Sequence, residues 1–169
     1  MFFNDVRVPE ENRLGAEGEG WQVVMGALAN ERSGISESTG MERQLDDLKE
    51  LARRSTKNGK PALADPSVRR ELGRYESMIS AMRLNGLRNL TQQLQGNPPS
   101  TETSVNKLLR GQLEIPMADF AMSLLGSDAQ EAGRWQMNSL TLHGVVIGGG
   151  SPNIQRNIIA ERILGLPKD

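Results

Sequence analysis

Glu31 and Arg32 are the ionisable pair that interrupts an otherwise apolar helical face, between Trp21, Val24, Met25 and Leu28 on one side and Met41, Leu45, Leu48 and Ala52 on the other. A carboxylate sheltered in such a face has its pKa raised and can abstract a proton as a general base; paired with an arginine or turned to water, it only solvates the helix. The run Gly148-Gly149-Gly150-Ser151-Pro152-Asn153-Ile154-Gln155-Arg156 offers a different chemistry. Three glycines lead into a sharply marked helix start, with Ser151 as N-cap and Pro152 as the first helical residue, where its missing N–H costs nothing. Unpaired N–H groups and the positive end of the helix dipole favour an anion such as a phosphate; the same glycines also suit a tight turn or close packing. This is not the P-loop pattern, because no Lys-Ser/Thr pair follows the glycines. His143 is the only histidine. With no second histidine or acidic cluster near it, it reads as a hydrogen-bonded helix-end residue rather than a metal ligand, and no Ser-His-Asp triad can be assembled.

The elements that must position these groups are helical. From Trp21 the i, i+3, i+4, i+7 pattern runs to Ala52, weakened at Gly34 and Gly40, and ends in Arg53-Arg54 before Asn58-Gly59-Lys60-Pro61 breaks the chain. A second helix is entered at Asp65-Pro66 and carries Leu72, Tyr75, Ile79, Met82, Leu87, Leu90 and Leu94 as far as Gly96. A third starts between Ser100 and Thr103 and runs to Leu124, with Pro116 expected to kink or split it. A fourth spans about Ala129 to Val145, and the last begins at Ser151 and stops at Gly165 and Pro167. Before them, Phe2-Phe3-Asn4-Asp5-Val6-Arg7-Val8-Pro9 reads as a short extended segment that hints at a sheet missing from the chain. The expectation is an all-α, up-down bundle of four to five helices, with residues 1–20 as an entering segment and linker and 21–169 as the bundle domain.

Composition narrows the partners. A net charge of -1 with 24% charged residues favours neither nucleic acid nor an acidic tail, and the absence of cysteine excludes disulfides and thiolate metal sites. No apolar run approaches the roughly 18 residues of a membrane span, so a cytoplasmic protein without a membrane partner is expected. Aromatic residues make up only 4%, so the core must come from Leu, Ile, Val, Met and Ala. That suits helix packing better than a sheet.

Phe2-Phe3-Asn4-Asp5-Val6-Arg7-Val8-Pro9-Glu10-Glu11-Asn12, with Gly18-Glu19-Gly20-Trp21, resembles the segment by which acyl-CoA dehydrogenases leave their middle β-domain for their C-terminal helical domain. Leu28-Ala29-Asn30-Glu31-Arg32 is similar to the first helix of that domain, and Gly149-Gly150-Ser151-Pro152-Asn153-Ile154-Gln155-Arg156 onward, through Gly165-Leu166-Pro167, to its closing signature. The resemblance implies FAD as cofactor, an acyl-CoA thioester as substrate, and a homo-oligomer or a hetero-oligomer with a related subunit. By residue, it implies Gly150, Ser151 and Asn153 as flavin-nucleotide contacts and Arg32 beside the acyl-CoA pocket. The family's usual base is a glutamate where this chain has Gly149; a branch carries its base on the first helix, just before the arginine, which implies Glu31 as catalytic base.

Two departures accompany it. The family's Arg-x-x-Phe-Gly motif is absent, with Ser55-Thr56-Lys57-Asn58-Gly59 near its place, and the glycine-rich loop after the third helix is reduced to Gly126-Ser127-Asp128. The reading is therefore the C-terminal domain of an FAD-dependent acyl-CoA dehydrogenase, expressed as a fragment or encoded by a shortened gene, and inactive alone for want of the β-domain wall. The alternative is a non-catalytic oligomerisation module or the inactive partner subunit of a mixed enzyme.

Overall fold

Asp65 shows how directly local sequence sets an element boundary. Its carboxylate accepts from the Ser67 N–H at 2.7 Å, Pro66 follows as the first helical residue, and helix α3 runs Pro66–Leu94. The helix closes when the Asn97 and Gly96 N–H groups turn back onto the Gln92 and Gln93 carbonyls, at 3.1 and 2.9 Å. This crossed pair is the Schellman arrangement.

The computed structural model describes residues 2–31, 35–97 and 103–168, with the backbone alone for 28–31 and 35–37. Besides α3 the helices are α1 (Gly20–Glu31), α2 (Ile35–Arg54), α4 (Thr103–Leu125), α5 (Arg134–Ile147) and α6 (Pro152–Ile158). The architecture is the all-α bundle expected. Helix α2 packs on α3 and α4, and α4 also packs on α3, α5 and α6. Between α2 and α3 a two-residue turn at Asn58 and Gly59, both with positive φ, joins β1 (Thr56–Lys57) to β2 (Lys60–Pro61), pairing Lys57 with Lys60. Asn-Gly is the pair such a primed turn prefers, so the expected break is a miniature hairpin.

The core is the α2–α3–α4 interface. Met41, Leu45, Leu48 and Ala52 of α2 meet Val68, Leu72, Tyr75, Ile79 and Met82 of α3 and Leu113, Met117 and Ala121 of α4. Several sequence expectations change here. Helix α4 is continuous through Pro116 rather than split, and the Pro116 carbonyl accepts a hydrogen bond from Tyr75 Oη at 3.0 Å. Toward the end of α3 the buried positions pass to Gly86 and Asn89, while Leu84, Leu87, Leu90 and Leu94 are exposed. The stripe turns polar because α4 begins with buried Thr103, Ser104, Asn106 and Lys107, which need hydrogen-bonding neighbours. Trp21 and Val24 of α1 are also exposed, and residues 2–9 form no strand.

The α3 start is charge-dependent. Hydrogen bonds from the Ser67 hydroxyl, then from Lys57, then from the Ser67 backbone hold the Asp65 carboxyl far below the usual carboxylate range, with the Lys57 ammonium 3.0 Å away. A carboxylate depressed in the folded state adds stability above its unfolded pKa and loses it as pH falls through the folded value. Asp65→Ala is therefore expected to lower the melting temperature at neutral pH, and the gap to the parent should close on acidification below about pH 4. Thermal unfolding across pH checks this; a gap independent of pH contradicts it.

Candidate functional site

The glycine run folds into a turn held from both sides. Gly149 and Gly150 have φ of +67° and +104°, in the left-handed region that glycine enters without steric cost. Ser151 then caps α6, its hydroxyl accepting from the Ile154 N–H at 3.5 Å, and Pro152 starts the helix as its sequence implies. From the α4 side, Val146 Cγ1 and Pro152 Cγ lie 3.3 and 4.0 Å from where a Cβ at Gly111 would stand, and Lys107 Cε lies 3.4 Å from the equivalent point at Gly149. The turn and α6 rest against α4 at these positions.

Gly150, Ser151 and Asn153 thus share one turn. Asn153 is exposed, and its side-chain oxygen accepts from the Arg156 guanidinium at 2.9 Å, which sets a cation beside them. Space above Gly150 is already filled by the side-chain amide of Gln155, 2.6 Å from an ideal Cβ. The arrangement can meet the polar edge of a nucleotide at Ser151 and at the Asn153–Arg156 pair, but it leaves no empty phosphate cradle over Gly150. Glu31 ends α1, with its side chain outside the described residues, and Arg32 lies outside them altogether. His143 is exposed on α5, with Nδ1 3.1 Å from the Ser139 carbonyl one turn back. Among the described residues no three His, Cys, Asp or Glu side chains gather as a metal site, and no helix is long and apolar enough to cross a membrane.

A second feature gathers the two sequence departures. Ser55 and Thr56, past the end of α2, and Gly126, Ser127 and Asp128, past the end of α4, line one open cleft of about 630 Å³ with Arg54. It adjoins a cleft of about 360 Å³ in which Asp47, Glu50, Asp128 and Glu131 surround Arg54 and Arg134. Arg134 is ion-paired with Asp47, and Glu50 with Arg53 at 3.0 Å. Carboxylates outnumber cations there, which disfavours a bound phosphate.

Sequence reasoning missed Gln155, Asn106 and Lys107, all buried. Asn106 donates to the Met82 carbonyl at 3.0 Å and accepts from the Asn85 amide at 3.2 Å. The available signal was spacing: Asn106 lies seven residues before Leu113, on the face that packs against α3.

A model of the acyl-CoA dehydrogenase C-terminal domain matches residues 18–164. The chain belongs to the acyl-CoA dehydrogenase family. It is 35% identical over its whole length to acyl-CoA dehydrogenase IpdE1 of Mycobacterium tuberculosis, of which it covers 44%. Among solved structures, an acyl-CoA dehydrogenase from Geobacillus kaustophilus superposes with a TM-score of 0.81 at 26% identity, over 96% of this chain and 43% of that one. An FAD complex of PigA does so with a TM-score of 0.81 at 25% identity, over 97% and 43%. The chain therefore spans less than half the length of these relatives, and the family it joins is one of oxidoreductases.

The position where the resemblance puts the family's usual glutamate is, in this fold, a left-handed residue beside Lys107. Gly149→Glu should therefore cost about 1–2 kcal/mol, the usual penalty for a side chain in that conformation. Chemical denaturation measures it, and a variant as stable as its parent would show that the turn relaxes freely.

Proposed function

We propose that the chain acts as the C-terminal helical domain, residues 21–169, of an FAD-dependent acyl-CoA dehydrogenase that desaturates an acyl-CoA thioester between its α and β carbons. What carries the reading is similarity along the whole chain, joined to a turn in which Gly150, Ser151 and Asn153 stand together at the start of α6. Ser151 and Asn153 hold the nucleotide edge of the flavin, and Gly150 supplies the turn between them and α4. FAD, when bound, supplies the two-electron acceptor for the hydride that leaves the β-carbon. Glu31 takes the α-proton on its carboxylate, and Arg32 attracts the acyl-CoA beside it. The assembly is an oligomer of this chain or of this chain with a related subunit.

A second reading, a helical oligomerisation module without chemistry of its own, is favoured by Leu84, Leu87 and Leu94 on α3 and Met137, Leu140 and Ile147 on α5. All six are exposed and spaced along their helices as stripes.

Incubating a protein that joins this chain to a β-domain of the family with excess FAD and desalting it separates the two, since the proposal expects a retained flavin absorption band that the β-domain alone does not show, and the module expects none. In a protein joining this chain to a β-domain of the family, Glu31→Gln is expected to slow acyl-CoA dehydrogenation by about 10²–10⁴-fold. A variant as fast as its parent removes Glu31 from the mechanism.

A further inference from the structure

We infer that Gln155 is a positioning residue: its buried amide fixes the Gly149-Gly150 turn and thereby sets where Ser151 and Asn153 stand toward the flavin. The second half of this inference rests on the function proposed above. Gln155 is the fourth residue of α6 and is 0% exposed, an unusual place for an uncharged polar side chain. Its Nε2 donates back to the Gly149 carbonyl at 2.9 Å and lies 3.4 Å from the Gly150 carbonyl. Its backbone N–H donates to the Ser151 carbonyl at 3.0 Å. One residue is therefore tied to three consecutive carbonyls and closes a ring around the turn.

Fit and cost both argue for a geometric role. The amide nitrogen lies 2.6 Å from an ideal Cβ on Gly150, so a side chain at 150 and the amide of 155 cannot share the space. Gln155 in this position requires glycine at 150, where the φ of +104° favours glycine in any case. The amide oxygen, Oε1, is buried without a hydrogen-bond partner. An apolar residue of equal volume would avoid that desolvation but would leave the Gly149 and Gly150 carbonyls without the amide N–H groups, so the glutamine is placed by what it does for this turn. What the amide uniquely supplies is two N–H donors aimed at the two carbonyls of a left-handed pair. With them in place, the Ser151 hydroxyl is held on the Ile154 N–H, and Asn153 is presented on the exposed side of the first turn.

Two substitutions remove the donors while keeping the bulk: Gln155→Met, with no polar atom, and Gln155→Glu, which when ionised only accepts. Amide hydrogen exchange on the ligand-free chain, and FAD affinity of the same sequences joined to a β-domain of the family, read from flavin fluorescence, are measured for both and for the parent. The expected result is exchange about tenfold faster over residues 148–154, unchanged protection in α2 and α3, and an FAD Kd raised about tenfold. Unchanged exchange over the turn in both variants overturns the inference whatever FAD does. Faster exchange throughout α2 and α3 overturns it as well, by making Gln155 an ordinary core residue. Faster local exchange with an unaltered Kd overturns the link to the flavin. A parent that binds no FAD defeats the proposed function instead, and local exchange then decides the role of Gln155 in the turn.

Discussion

Helix α4 has to satisfy two incompatible kinds of neighbour, and the rest of the bundle is arranged around that demand. Its middle and end, Leu113, Met117, Ala121 and Leu124, are apolar and close the core against α2 and α3. Its first turns bury Ser104, Asn106 and Lys107, which can leave water only where partners wait for them. Asn106 finds them on α3, in the Met82 carbonyl and the Asn85 amide. That bridge locks the two helices in register as well as in contact, because an amide bonded at both ends tolerates little sliding. At the same end of α4, Lys107 and Gly111 provide the surface on which the glycine turn and α6 rest.

The helix starts were legible because each is written in adjacent residues. Asp65-Pro66 and Ser151-Pro152 carry both cap and first turn within two positions, and no distant part of the chain can overrule them. The core of α2 was legible for a related reason: Met41, Leu45, Leu48 and Ala52 keep one helical period, and α3 and α4 cover them. Trp21 with Val24 and Leu87 with Leu90 and Leu94 have the same period and lie on the expected helices, yet they stand exposed. Periodicity shows that a face is apolar, but not whether an element of the same chain covers it. Of the two outcomes expected at Pro116, a kink or a split, the split does not occur, since α4 runs through the proline in one piece.

Legibility at the site follows the same division. Gly150, Ser151 and Asn153 fall together because they are neighbours in sequence, whereas Gln155 was invisible because a glutamine on a short helix reads as surface. Its burial depends on two glycines that leave room for it and on α4 behind them, a tertiary circumstance with no local mark. Glu31 and Arg32 were singled out by interrupting an apolar face, and they keep the status of a sequence argument. The loops that depart from the family's motifs are far apart in sequence, yet Ser55 and Thr56 meet Gly126, Ser127 and Asp128 in one cleft. That cleft presents hydroxyls at Ser55, Thr56 and Ser127 and a carboxylate at Asp128.

After α6 the backbone widens into one π turn at Ile159–Ile163, where the Leu164 N–H reaches the Ile159 carbonyl at 3.0 Å. A π turn holds one more residue than an α turn between the same two hydrogen-bonded ends. Everything beyond it is rotated by about 100° relative to an uninterrupted α-helix, the angle one residue subtends. Ile154 and Ile158 therefore belong to one phase of the helix and Leu164 to another. The chain then turns at Gly165, whose φ is +66°, and the Leu166 N–H closes back onto the Ala160 carbonyl at 2.9 Å, so the widened turn is itself the end of the helix.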